Sequence, residues 1–159
     1  MNTVHMKMKS PVGELTLIAT DKGLAAILWP KDDPARVRVK PGAANDRHPI
    51  LRKAAAQLKE YFAGKRKAFD LTLDFDGTDF QKKVWHALLG IPFGETRSYA
   101  EIAKTIKKPK AVRAVGAANG RNPISIVAPC HRVIGSNGKL TGFAGGLEAK
   151  AILLKLESA

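Results

Sequence analysis

Phe69-Asp70-Leu71-Thr72-Leu73-Asp74-Phe75-Asp76-Gly77-Thr78-Asp79 is where the chain changes period. Up to Phe75, apolar and polar residues alternate one by one, the period of a strand with one buried face. From Thr78 onward the period is helical. Thr78 and Gln81 have the spacing of a capping box, in which each side chain satisfies the other residue's backbone N–H. Phe80, Val84 and Leu88 follow on one face, with Trp85 beside them. The turn at 76–79 therefore divides the sequence into a mixed half, residues 1–76, and a mainly helical half, residues 77–159.

Working back from this divide, a helix is expected from Pro49, a residue suited to a first helical position. Leu51, Ala54, Ala55, Leu58 and Phe62 fall on one of its faces, and Gly64 ends it. Residues 30–47 hold three prolines and many charges and read as a long loop. Before them Leu15, Leu17 and Ala19 alternate with Thr16, Ile18 and Thr20. Asp21-Lys22-Gly23 turns the chain, and residues 24–29 run back, which makes a hairpin. Working forward, Gly90-Ile91-Pro92-Phe93-Gly94 breaks the helix begun at Thr78. Two short helices follow, one with Tyr99, Ile102, Ala103 and Ile106 on a face, the other with Val112, Val115, Gly116 and Asn119. Residues 124–128 form an apolar run that ends at Pro129-Cys130-His131-Arg132. Residues 135–146 contain five glycines and must be irregular, and a last helix runs from about Leu147 to Leu156. The fold class expected is α+β: an N-terminal subdomain with a small, mostly antiparallel sheet and a helix, then a mainly helical C-terminal subdomain containing a helix-turn-helix.

Composition narrows the function. The chain has 159 residues, 45% hydrophobic and 26% charged, as in an ordinary globular protein. A single cysteine excludes an internal disulfide and a cysteine-rich zinc site. His5, His48 and His86 have no metal-ligand spacing with it, so neither metal nor cofactor is expected. No apolar run approaches the roughly 18 residues that span a bilayer, and the N-terminus lacks an apolar signal core. The expectation is a cytoplasmic protein without a membrane partner. Net charge is +13, and residues 80–159 hold 13 of the 27 basic residues but 4 of the 14 acidic ones. A basic half fits a polyanion, nucleic acid before membrane, and equally an ordinary basic surface.

Three features bear on chemistry. Segment 104–113 carries Lys104, Lys107, Lys108, Lys110 and Arg113 with no acid, and the second short helix adds Ala114, Gly116, Ala117 and Ala118. Small side chains let a helix backbone approach a groove, while cations supply phosphate affinity. Spacing alone fits a packed helical pair with a solvated basic face as well. Cys130 has His131 as a neighbouring base and Arg132 to favour a thiolate. Adjacent residues do not face each other on a strand or helix, so the pair requires an irregular turn or a bridging water. Glu157 at a helix C-terminus opposes the macrodipole. It is either a solvated tail residue or the group that holds a histidine in one tautomer.

Together these residues resemble the O6-alkylguanine-DNA alkyltransferases, the methylated-DNA–protein-cysteine methyltransferases. The resemblance rests on Pro129-Cys130-His131-Arg132-Val133-Ile134, Arg113-Ala114-Val115-Gly116, Asn122-Pro123 and Gly94-Glu95-Thr96-Arg97-Ser98-Tyr99. Gly145-Gly146-Leu147, Lys150, Leu153-Leu154 and Glu157 complete it. It is strong over about residues 79–157. It implies that Cys130 is the nucleophile for the alkyl carbon on guanine O6, deprotonated by His131 through a water, with Glu157 orienting the imidazole. It implies that Asn122 braces the turn and that Tyr99 donates a proton towards guanine N3 and crowds the 3′ phosphate. Arg113 would fill the gap left by a flipped nucleotide. Ala114 and Gly116 would lie at the minor groove, Lys110 would also bind the DNA, and Pro129, Val133 and Ala144 would line the base pocket. The partner implied is double-stranded DNA containing O6-alkylguanine, bound by a monomer, and the reaction is single-turnover because a thioether is stable. A helix-turn-helix module that binds damaged DNA without transfer is the alternative, as is a thiol enzyme of another class. The first predicts that Cys130→Ala changes nothing, the second reactivity independent of DNA.

Overall fold

Alternation in residues 15–28 builds the sheet on which the rest is assembled. The computed structural model describes residues 2–138 and 143–158. Strands β1 (Val4–Met8), β2 (Leu15–Thr20) and β3 (Gly23–Leu28) form an antiparallel meander, with Val4 opposite Ala19, Met8 opposite Leu15, and Thr16 opposite Leu28. A two-residue strand, β4 (Ala43–Ala44), pairs in parallel with β1, giving the order β3-β2-β1-β4. The hairpin is as the sequence predicts, and the long loop after it supplies β4. Leu15, Leu17 and Ala19 face the main core. Ile18, Ala25 and Ala26 on the opposite face are buried as well, because Val39 of the loop folds over them.

Helix α1 (Pro49–Phe62) starts with Pro49 at its first position and His48 as N-cap, and Gly64 follows it at φ +75°. Its buried face is Leu51, Ala54, Ala55, Gln57, Leu58 and Tyr61. Phe62, expected on that face, is only half-buried, and the turn places Tyr61 inside instead.

The alternating stretch 69–75 is not a regular strand. Its one sheet contact is a parallel bridge to β3, where Leu24 N–H donates to the Thr72 carbonyl and Asp74 N–H to the Leu24 carbonyl. Further pairing fails because other groups occupy both sides. Gln57 clamps Asp70 through two side-chain hydrogen bonds, and β3 turns its next donor, Ile27 N–H, to the Pro123 carbonyl. The edge of β3 is thus shared between residues 72–74 and the segment leading to Cys130.

Helix α2 (Asp79–Leu88) opens with the predicted capping box, both hydrogen bonds present. Trp85 is buried and donates to the Ala118 carbonyl, while Phe80, expected inside, is half-buried at the rim. Strand β5 (Arg97–Ser98) leads into α3 (Tyr99–Thr105), which a second capping box starts at Ser98 and Glu101. The link to α4 (Val112–Gly120) begins with Lys107 at φ +63°. Lys107 N–H bonds the Lys104 carbonyl and Lys108 N–H the Ala103 carbonyl, the paired bonds of a helix stop that glycine usually makes. Strand β6 (Val133–Ile134) pairs in parallel with β5, and α5 (Leu147–Ser158) reaches past Leu156 to include Glu157. One buried cluster runs from Leu15 and Leu17 through Leu58 and Trp85 to Val133 and Leu153, so the two halves share a core. Residues 139–142, the middle of the glycine-rich loop, lie outside the described residues.

Candidate active site

Two consecutive tight turns present Cys130. Val127 N–H bonds the Ser125 carbonyl with Ile126 between them at φ +75°, which is the strained hand of a γ-turn on a β-branched residue. Cys130 N–H then bonds the Ala128 carbonyl across Pro129, whose φ −80° and ψ 67° are those of the relaxed hand. Cys130 to Arg132 complete a short 3-10 turn. The surrounding side chains hold this path. Asn122 donates to the Ala128 carbonyl at 2.8 Å and accepts from Ile124 N–H at 3.1 Å. Asn119 donates to the Cys130 carbonyl at 3.4 Å. The first half braces the turn from outside. Trp29 Nε1–H donates to Ser125 at 3.2 Å, and Arg36 donates to the carbonyls of Gly120 and Asn122.

Cys130 is buried, and burial pushes its thiol up. Hydrogen bonds from Asn122 and Ser125 and the charges of Arg36 and Lys150 act the other way. Arg132, expected to favour the thiolate, is committed elsewhere. Its Nε donates to Oε1 of Glu157 at 2.7 Å, its Nη2 to Oε2 at 3.0 Å, and its Nη1 to the Ile91 carbonyl. The same Oε2 meets His131 Nε2 at 2.7 Å and the Tyr61 hydroxyl at 2.5 Å. Burial would raise the Glu157 carboxyl, but the donors from His131, Arg132 and Tyr61 outweigh it and hold it at about 2. The carboxylate is therefore ionised, and His131 donates Nε2–H to it. The other ring nitrogen, Nδ1, is buried and has no hydrogen-bond partner among the described residues. Burial lowers His131 from its ordinary value, with Glu157 opposing, so the imidazole is neutral near pH 7. A neutral imidazole with a free acceptor nitrogen is what a general base requires.

The remaining expected residues form two groups. Lys110, Arg113 and Ala114 are exposed together at the turn and first turn of α4, whose N-terminus has no side-chain cap. Tyr99 begins α3 and is half-buried. It lies near Gly116 of α4, where an added Cβ would sit 3.8 Å from the Tyr99 ring. Val133 is buried with its carbonyl accepting from Lys150 Nζ at 2.7 Å. Ala144 is exposed, and Pro129 borders a cleft of about 320 Å³ with Leu71, Leu89, Phe93 and Val127. Sequence reasoning did not assign Tyr61, Arg36, Ser125 or Asn119 to the site. For Asn119 a signal existed, a polar residue among Val112, Val115 and Gly116 on an apolar helix face.

Residues 3–75 match the ribonuclease-like domain of 6-O-methylguanine DNA methyltransferase, and residues 79–159 its DNA-binding domain. A methylated-DNA–protein-cysteine methyltransferase of Methanosarcina barkeri is 53% identical over 150 residues, 94% of each chain. The chain belongs to the methylated-DNA–protein-cysteine methyltransferases. The O6-methylguanine methyltransferase of Mycobacterium tuberculosis has the same fold, with a TM-score of 0.87 and 47% identity over 98% of this chain and 93% of that one. A structure of the M. tuberculosis protein OGT in complex with DNA matches at a TM-score of 0.85, with 47% identity over 99% and 93% of the two chains. The second half of the chain is thus the DNA-binding half of a methyltransferase family, and it holds Cys130, His131 and Glu157. Among the described residues no helix is long and apolar enough to cross a membrane.

Proposed function

We propose that this chain, whose family repairs DNA by alkyl transfer to a protein cysteine, uses Cys130 as the acceptor for an alkyl group on guanine O6. One observation carries the residue assignment. The chain's only cysteine sits on a braced turn beside a neutral histidine whose tautomer is fixed by an ionised glutamate. Unaided, only a few per cent of a thiol ionises at neutral pH, and burial reduces that further here, so a base must take the proton. His131 Nδ1 takes it through a water. The Cys130 sulfur then attacks the alkyl carbon, an S–C bond forms, and the bond from that carbon to O6 breaks. Tyr99 donates a proton towards guanine N3 as the departing base gains charge. Guanine is restored in the DNA, and the thioether remains on the protein.

The division proposed at residues 76 and 77 separates support from chemistry. In the second part, Lys110 and the bare N-terminus of α4 meet phosphates, and Arg113 enters the space left by the flipped nucleotide. Ala114 and Gly116 let α4 lie close to the minor groove. Pro129, Val133 and Ala144 border the flipped base. The substrate is double-stranded DNA carrying O6-alkylguanine, acted on by a monomer in the cytoplasm. No cofactor takes part, because nucleophile, base and leaving-group acid are all side chains. The test is transfer of a labelled methyl group from duplex DNA. The expected result is a plateau at one label per protein, abolished in Cys130→Ser. Continued turnover, or transfer that survives in Cys130→Ser, would overturn the assignment.

A further inference from the structure

The carboxylate of Glu157 receives four hydrogen bonds, one at Oε1 and three crowded on Oε2. Oε1 accepts Arg132 Nε–H. Oε2 accepts His131 Nε2–H, Arg132 Nη2–H and the Tyr61 hydroxyl. Three of these donors lie within two residues of Cys130 in sequence. The fourth comes from α1 in the first half, 96 residues before Glu157. Tyr61 is fully buried, and its ring packs against Phe62, Phe69 and Phe93 with centroids 5.3, 5.4 and 6.3 Å away. Phe93 also carries the Arg132 guanidinium, 5.8 Å from the ring centre. The phenol therefore cannot swing away, and its oxygen faces an ionised carboxylate, to which it can only donate.

We propose that Tyr61 is a positioning residue for the alkyl transfer: its hydroxyl takes up part of the charge on Glu157 Oε2, so that His131 stays neutral before the reaction and its Nδ1 is free to accept the proton of Cys130. This rests on the reading of His131 as the base. Hydrogen bonds to a carboxylate reduce its attraction for a neighbouring imidazolium. With the phenol donor gone, Oε2 binds the imidazolium more tightly, and His131 is protonated at higher pH. A protonated His131 is no base, so the acid limb of the rate profile moves upward. A structural contact would not do this. It would lower the rate or the melting point at every pH alike.

The experiment measures single-turnover transfer from free O6-benzylguanine, which removes DNA binding from the rate, over roughly pH 5 to 9. Wild type is expected to lose rate on the acid side below the ordinary histidine range. In Tyr61→Phe the limb should rise by about one pH unit, the size expected for one hydrogen bond to a charged group. A second preparation avoids any folding defect. The chain has two tyrosines, Tyr61 and Tyr99. Biosynthetic 3-fluorotyrosine in a Tyr99→Phe background therefore places a more acidic, nearly isosteric phenol at position 61 alone. Against unlabelled Tyr99→Phe, its limb should fall. A wild-type limb that neither preparation moves would overturn the role of Tyr61 and leave His131 as the base. A flat wild-type profile would overturn the base assignment and this proposal with it.

Discussion

Replacing Glu157 with glutamine keeps the shape of the side chain and removes its charge. Arg132 is then left as a buried guanidinium facing an amide, since its side chain is 7% exposed and that of Glu157 is 2% exposed. Removing one partner of a buried ion pair costs about 3–5 kcal/mol, because the other charge stays desolvated. That is a fifth or more of the stability of a typical domain, about 5–15 kcal/mol. The pH dependence gives a second measure. The Glu157 carboxyl falls from its ordinary 4.5 to about 2 in the folded chain. A depressed carboxyl contributes stability that is present above the unfolded value and is lost as pH falls through the folded one. The shift corresponds to about 3 kcal/mol, of which about 2 kcal/mol disappears between pH 7 and pH 3. Urea melts of wild type and Glu157→Gln at both pH values read both quantities. The gap between the proteins should be several kcal/mol at pH 7 and narrower by about 2 kcal/mol at pH 3. A gap below about 1 kcal/mol at pH 7, the range of a surface pair, or one that does not change with pH, would refute the network.

Lys107 holds a left-handed conformation at the stop of α3, so Lys107→Gly should raise thermal stability by about 1 kcal/mol, read in a calorimetric melt. The added Cβ in Gly116→Ala meets only ordinary van der Waals contact with Tyr99. The free protein should therefore be stabilised by up to about 1 kcal/mol, while DNA affinity in a fluorescence titration falls. Lower stability would show that packing, not the approach of DNA, requires the glycine. Arg113→Ala should slow repair of duplex DNA far more than reaction with free O6-benzylguanine, and equal slowing of both would remove Arg113 from the flipping step.

What the sequence shows of this fold is what local chemistry decides. The start of α2 is legible because Thr78 and Gln81 satisfy each other within one turn. The hairpin is legible because Leu15, Leu17 and Ala19 repeat at the period of a strand. Residues 69–75 carry the same signal and fail to form a strand, because a strand also requires an unoccupied neighbour. The free edge of β3 is divided between Leu24 and Ile27, which bond different segments. The same limit applies at the site. Cys130 and His131 can be picked out by type and position, while Glu157 at a helix end reads equally as a tail residue and is singled out by the family resemblance. The destination of Arg132 cannot be read in this way, since it follows Cys130 and His131 in sequence yet points to Glu157 and Ile91. Tyr61 and Phe62 are adjacent aromatics on α1. Apolarity favours Phe62 for the interior, but the acceptor that draws Tyr61 inward lies at the far end of the chain. Arg36 sits in a stretch that reads as loop and meets backbone carbonyls at Gly120 and Asn122 that no side-chain pattern marks.

The most direct test of the account is intact-protein mass spectrometry after incubation with duplex DNA containing O6-methylguanine, with peptide mapping and a Cys130→Ala control. The account predicts a gain of one methyl group, located on Cys130, with guanine restored in the DNA and no change in the control. A folded, reduced protein that binds this DNA without gaining mass, or that carries the methyl group on another residue, would contradict it.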